Sequence, residues 1–255
     1  LLMRSATDVW PDGLGSSSGE LGHNLMDHHF RIGASGRLEG LNDRTVYGER
    51  PTGFYIPRYR NLFGDRREYL RGFGYQGGAS REGWSRGVAE LGVGGDFKER
   101  LTQPGEWTIG AGAFGERLPN HDNRITIDEP RTDARGLPVV AIDCATGENE
   151  RLMRIDMMND MAETLEACGV RDVGTFDSGY APGQGIHEMG TARMGRDPGT
   201  SVLNRWNQVW DALNVFVTDG SCMTSSACQN PSLTYMALTA RAADHAVAEL
   251  NRRNL

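Results

Sequence analysis

The stretch Gly185-Ile186-His187-Glu188-Met189-Gly190-Thr191-Ala192-Arg193-Met194-Gly195, followed further along by Cys228-Gln229-Asn230-Pro231-Ser232-Leu233-Thr234, decides how the rest of the chain is read. The second segment reads as a helix start: Asn230 is a good N-cap, Pro231 suits the first helical position, and an apolar stripe follows. Leu233, Met236, Ala237, Ala240, Ala243, Val247 and Leu250 recur at helical spacing and predict one buried face. Upstream, Leu213-Asn214-Val215-Phe216-Val217 reads as a strand that Asp219-Gly220-Ser221 breaks in a tight turn. A strand, a glycine turn and a capped helix start offer backbone N–H groups and a positive dipole end to something anionic, and a cofactor fits that description.

On residue chemistry alone, each of these features has two readings. His187 is either a loop histidine or a general base, since imidazole titrates near neutrality and can take a proton from a hydroxyl. Asn230 is either a helix cap or an amide that holds a substrate oxygen, and the two roles need different rotamers. Asp219, Gly220 and Ser221 are either a strand-ending turn or a cradle of N–H groups for a cofactor.

Taken in order, the His187-x-x-Gly190-Thr191-x-x-Met194-Gly195 segment, the Asp219-Gly220-Ser221 turn and the Asn230-Pro231-x-x-Thr234 helix start resemble the carboxy-terminal part of the glucose-methanol-choline flavin oxidoreductases. Gly19-Glu20-Leu21-Gly22-His23-Asn24-Leu25-Met26-Asp27-His28-His29 and Gly115-Glu116-Arg117-Leu118-Pro119 are similar to the same family, particularly its sugar and glucoside dehydrogenase branch. The resemblance is strongest after Gly185 and weakest over residues 37–100.

The resemblance implies FAD as cofactor and a sugar or glycoside CH–OH group as substrate. His187 would take the hydroxyl proton, Asn230 would hold the oxygen, and hydride would pass to flavin N5. Asn230 stands where the family has histidine or asparagine, and it cannot titrate. Asp219, Gly220 and Ser221 would lie along the flavin's ribityl and phosphate region, with Pro231 and Thr234 under its pyrimidine edge. There the helix dipole would stabilise the negative charge of the reduced ring. A dehydrogenase is favoured over an oxidase, and the electron acceptor stays open. The rival reading is a non-catalytic module that binds carbohydrate or a partner subunit.

The implied fold is α/β: a two-domain FAD-binding fold whose α+β substrate domain is built on a mostly antiparallel sheet. Residues 1–30 and 177–255 would belong to the FAD-binding domain and residues 31–176 to the substrate domain. Leu1-Leu2-Met3-Arg4-Ser5 reads as the end of a strand, so the chain is expected to be a fragment that lacks the amino-terminal Rossmann portion and does not retain FAD alone. Compartment information would lie in that portion.

Bulk properties restrict the remaining classes. A net charge of −7 over 255 residues argues against nucleic acid or an anionic membrane as the main partner, and no apolar run approaches the roughly eighteen residues of a spanning helix. Cys144, Cys168, Cys222 and Cys228 are widely spaced, which suggests neither a zinc site nor a disulfide framework. Asp27-His28-His29 invites a metal reading, yet adjacent histidines diverge on a strand and on a helix alike, so structural hydrogen bonding is expected and no metal ligand is assigned. His121 and His245 are expected at the surface. Gly110-Ala111-Gly112-Ala113-Phe114-Gly115 matches a dinucleotide fingerprint in letters only, because Pro119 follows too closely for a helix to start. Arg71-Gly72-Phe73-Gly74-Tyr75 matches only the start of an RNA-recognition signature.

Strands are predicted at residues 54–56, 106–109, 124–127 and 138–142. A helix is predicted from about Glu150 to Cys168, with Leu152, Ile155, Met158, Ala162 and Leu165 on one face and Gly169 as its stop. Met153, Met157, Met158 and Met161 on that helix read as adaptable core packing. The aromatic, arginine-rich region over residues 55–86, with Tyr59, Phe63, Tyr69, Phe73, Tyr75 and Trp84, reads as strand packing or a sugar-stacking surface.

Overall fold

The computed structural model describes residues 1–44, 53–84 and 92–255. Its strands are β1 (Met26–Leu38), β2 (Gly53–Ile56), β3 (Phe73–Arg81), β4 (Trp107–Glu116), β5 (Arg124–Thr132), β6 (Pro138–Asp143), β7 (Arg171–Asp177), β8 (Ile186–Met189), β9 (Gln208–Val209) and β10 (Ala212–Phe216). The α-helices are α1 (Gly95–Thr102), α2 (Glu148–Ala167) and α3 (Ser232–Asn251). The chain divides into two compact units: Leu1–His29 with Glu116–Glu150 and Tyr180–Leu255, and Phe30–Gly115 with Arg151–Gly179.

The second unit is built on an antiparallel sheet in the order β2-β3-β4-β1-β7. Ile32, Ala34, Phe73, Tyr75, Ala111 and Ala113 project from it into one core with Met153, Met157, Met161 and Leu165 of α2. The methionine reading of α2 therefore holds, whereas the predicted face is rotated. Ile155 is 52% exposed and Met153, Met157 and Met161 are fully buried. Flexible thioethers fill the uneven floor that a glycine-rich sheet presents, a task a β-branched residue performs poorly.

The flank of α2 next to this core carries a polar cluster. Tyr75 donates to Asp160 Oδ2 at 2.8 Å, Tyr59 donates to the same carboxylate and Tyr69 to Asp156. Arg60 Nε lies 3.1 Å from Asp156 Oδ2, and its terminal nitrogen also reaches Asp160. Burial and the neighbouring carboxylates hold all three phenols above their ordinary range, so they remain protonated donors. Of the aromatic region, Tyr69, Phe73 and Tyr75 are core, whereas Phe63 and Trp84 are exposed; its last residues, 85 and 86, lie outside the described ones.

In the first unit, β5 and β6 pair with each other as a separate ribbon rather than extending the main sheet, and β9 pairs with β10. The initial residues form a 3-10 turn at Leu2–Arg4, not the end of a strand. Ala192, Val202, Leu203, Val209 and Cys222 form the core, with Leu21, Val215, Val217 and Leu238 packed on it. The Gly110–Gly115 letters lie inside β4, and no helix follows them.

α3 departs from its predicted form at its start and on its face. Its first residue is Ser232, Pro231 holds the capping position, and no side chain caps it. Asn230 is therefore not the cap. Leu233, Met236, Val247 and Leu250 are 58–77% exposed. The face that packs carries Leu238 and the buried Ala242. Alanine on both sides makes α3 apolar over most of its circumference, so periodicity identifies a helix without deciding which face is buried.

Candidate active site

β8 delivers His187, and its pairing with the start of β1 sets Met26 opposite Met189 and His28 opposite Ile186. The backbone at His187 is left-handed, with φ +67°, which costs a non-glycine residue on the order of 1 kcal/mol. Gly190 follows at φ +97°, and a β-carbon there would lie 2.1 Å from the Asn24 carbonyl oxygen. That position therefore requires glycine on two grounds, conformation and space.

Beyond β8 the chain runs beside the Asp219 turn. Gly190 N donates to Gly220 O at 3.3 Å, Ala192 N to Ser221 O at 2.9 Å and Met194 N to Cys222 O at 3.0 Å. Asp219 caps the 3-10 turn Gly220–Cys222 by accepting from Ser221 N. Gly220 is buried, and a β-carbon on it would lie 2.7 Å from the Glu188 carbonyl and 2.8 Å from the Tyr235 hydroxyl. The segments carrying His187 and Asp219-Gly220-Ser221 thus form one folded piece.

His28, fully buried, lies beside His187. The two Nδ1 atoms are 2.9 Å apart and the rings meet edge to face, with centroids 4.8 Å apart. On its other side, His28 Nε2 contacts the Ala227 carbonyl. A carbonyl only accepts, so His28 Nε2 carries a proton. In neutral imidazole, the other nitrogen is then an acceptor, so His187 Nδ1 must donate to His28 Nδ1. The remaining nitrogen, His187 Nε2, is left with a bare lone pair.

The electrostatics favour that neutral chain. Burial pushes His28 from 6.5 down to about 4, with the neighbouring His187 adding to the fall. Burial also lowers His187, against a smaller opposing pull from Glu188. Both rings are therefore uncharged near neutrality.

A buried ion pair fixes the segments on either side. Arg117 Nε lies 2.8 Å from Asp27 Oδ1, both side chains being 2% exposed. Asp27 Oδ2 accepts from Gly183 N at 2.8 Å, in the loop before β8. The Arg117 carbonyl accepts from Ser226 Oγ at 3.4 Å, next to Ala227. Asn230, exposed, stands three residues beyond Ala227, so its segment is tied to the histidine pair through that carbonyl. Pro231 is buried, and Thr234 is exposed on the first turn of α3.

Sequence reasoning left Asp27, His28 and Arg117 without catalytic-site roles. Asp27 and His28 make the structural hydrogen bonds expected of them, and only the fold shows that the partner of His28 is His187 and those of Asp27 are Arg117 and Gly183. Among the described residues no cluster of three or more histidines, cysteines or carboxylates is placed to hold a metal ion, and no helix is long and apolar enough to cross a membrane.

A family profile described as GMC oxidoreductase matches residues 119–239. The 2-methyl-1,2-propanediol dehydrogenase of Mycolicibacterium austroafricanum is 33% identical over 96% of this chain and 45% of its own length. The chain belongs to the GMC oxidoreductase family. Similar relatives include the fructose dehydrogenase large subunit of Gluconobacter japonicus, 28% identical over 99% of this chain and 45% of the relative. Paromamine 6'-oxidase of Streptomyces fradiae is 37% identical over 53% of this chain and 25% of the relative. The chain therefore spans less than half the length of these curated relatives, whose names include both dehydrogenases and oxidases.

Proposed function

We propose that this chain forms the catalytic, carboxy-terminal part of an FAD-dependent dehydrogenase acting on a CH–OH group of a sugar or glycoside. The observation that carries the reading is the hydrogen-bond chain from the Ala227 carbonyl through His28 to His187, which leaves His187 Nε2 unprotonated. A base within reach of a substrate hydroxyl needs that lone pair, and positioned proton transfer contributes about 10²- to 10⁴-fold in rate. His187 takes the hydroxyl proton at Nε2, and Asn230 donates its amide to the oxygen.

The residues present suit FAD. α3 begins without a side-chain cap, so the first-turn N–H groups at Ser232, Leu233 and Thr234 remain a donor set for an anionic group. A cavity of about 440 Å³ has Thr191, Asp219 and Ser221 in its wall beside Leu2, Leu21 and Val217. Asp219, Gly220, Ser221, Pro231 and Thr234 are the residues that would hold the flavin. When bound, FAD supplies the hydride acceptor. Residues 1–30 and 177–255 are assigned to the FAD-binding domain and residues 31–176 to the substrate domain. The uncovered Leu233, Met236, Val247 and Leu250 face is assigned to packing against the amino-terminal FAD-binding segment.

The test is the anaerobic absorption spectrum of the full-length gene product, before and after addition of glycosides and simple alcohols. Flavin bands that bleach with a glycoside uphold the reading. A preparation without flavin, or one that no candidate alcohol reduces, moves the non-catalytic binding module ahead.

A further inference from the structure

A second concavity in the first unit has a chemistry that the proposed reaction does not use. It holds about 280 Å³ and is lined by Gly195, Arg196, Asn204, Arg205, Trp206 and Trp210. Small-molecule sites run from roughly 300 to 1,000 Å³, so this one has room for a single ring with one substituent.

Its walls are fixed before any ligand arrives. Asn204 Oδ1 accepts from Trp206 N at 2.8 Å, and its amide donates to Gln208 at 2.8 Å, which locks the turn carrying both Arg205 and Trp206. His245, expected at the surface, is half-buried and stacks on Trp206 with centroids 4.5 Å apart and planes 11° apart. Trp210 Nε1 donates to Ser201 Oγ at 3.0 Å, so its polar end is satisfied and its hydrocarbon edge is left for the wall.

The charge on the wall is uncompensated. Arg196 and Arg205 are both exposed, and among the described residues neither guanidinium has a carboxylate partner. No acidic residue lines the cavity. The carboxylate next to Arg196 in sequence, Asp197, accepts from Gly199 N at 2.9 Å within its own turn. Arg205 Cζ lies 4.7 Å from the Trp206 ring centroid. Stacking of that kind uses a guanidinium's face and leaves its in-plane N–H fork for a planar or tetrahedral oxyanion. In a chain of net charge −7, this is a local positive site with aromatic walls.

From this geometry we infer that the cavity binds a small ring-bearing oxyanion, a phosphate ester or carboxylate on one ring. Arg196 and Arg205 grip the anion, Trp210 covers the ring, and the edge of Trp206, whose faces His245 and Arg205 occupy, borders it. None of the lining residues belongs to the proposed base, flavin or substrate set.

The test is isothermal titration of the full-length protein with phenyl phosphate, benzoate, inorganic phosphate and phenol at low ionic strength. Phenyl phosphate and benzoate carry no oxidisable CH–OH group, so binding is read independently of the flavin reaction. Saturable binding of the two ring-bearing anions is expected at least about tenfold tighter than that of inorganic phosphate or phenol. The affinity should fall about tenfold or more in Arg196→Ala/Arg205→Ala, and should weaken with added salt. Trp206→Phe, which keeps an aromatic wall and the fold, should retain most of the binding. Phenol binding as tightly as phenyl phosphate, inorganic phosphate matching the ring-bearing anions, or the double arginine variant binding like the parent would each overturn the assignment.

Discussion

Each compact unit encloses a buried polar network, and the two end differently. On α2, Arg60, Asp156, Asp160 and three tyrosines satisfy one another, and every phenol in the cluster has its carboxylate. Around His187, the chain of bonds starts at a backbone carbonyl, passes through His28 and stops at a ring nitrogen to which none of the described residues donates. A network in which each phenol has a carboxylate acceptor and the guanidinium lies against both carboxylates rigidifies its surroundings. A network with one open acceptor keeps a base available, and here it is held in place by left-handed backbone at His187 and by the buried Asp27–Arg117 pair. The proposed base thus sits on left-handed backbone beside a buried ion pair.

Substitutions should separate the two networks by what they affect. The largest expected effect is on rate alone. His187→Ala should slow flavin reduction by alcohol about 10²- to 10⁴-fold, read by anaerobic stopped flow, while the melting temperature stays near that of the parent. Asp27→Asn removes the countercharge of a buried guanidinium and should cost roughly 3–5 kcal/mol in denaturant unfolding. Because Asp27 also holds Gly183, that variant should lose rate as well as stability.

Acid should act selectively on the open network. His28 has a pKa of about 4 in the folded state against an ordinary 6.5, so on acidification the unfolded chain takes its proton first. Its share of stability is complete above pH 6.5 and is lost as pH falls toward 4, by about 3 kcal/mol at most. His28→Gln should flatten this limb of the stability profile; an unchanged limb would mean that the histidine pair is not buried as described. The smallest effect belongs to the closed network. Tyr75→Phe should cost roughly 1–2 kcal/mol by removing a bond to Asp160, with the rate of flavin reduction unmoved.

The legibility of the sequence follows the same division. His187, the Asp219 turn and the helix after Asn230 stood out because their chemistry is local: a glycine at positive φ, an aspartate capping its own turn, an apolar period. β1 was not legible. Five consecutive residues from Met26 to Phe30 are buried, three of them polar, so neither alternation nor an apolar run marks the strand. β7 is almost wholly exposed and carries no pattern either. His28 was visible as a residue but not as a partner of His187, because 159 positions separate them and only strand pairing between β1 and β8 brings them together. The buried face of α3 was misread for a related reason, since the stripe of largest residues is not the face that packs within this chain.

The central claim is the protonation pattern of the His28–His187 pair, and nitrogen-15 NMR of the histidine rings at neutral pH tests it most directly. The account predicts a protonated Nε2 on His28, a protonated Nδ1 on His187, and the unprotonated, pyridine-type signal at His187 Nε2. A proton on His187 Nε2, or a doubly protonated ring at either residue, would contradict it.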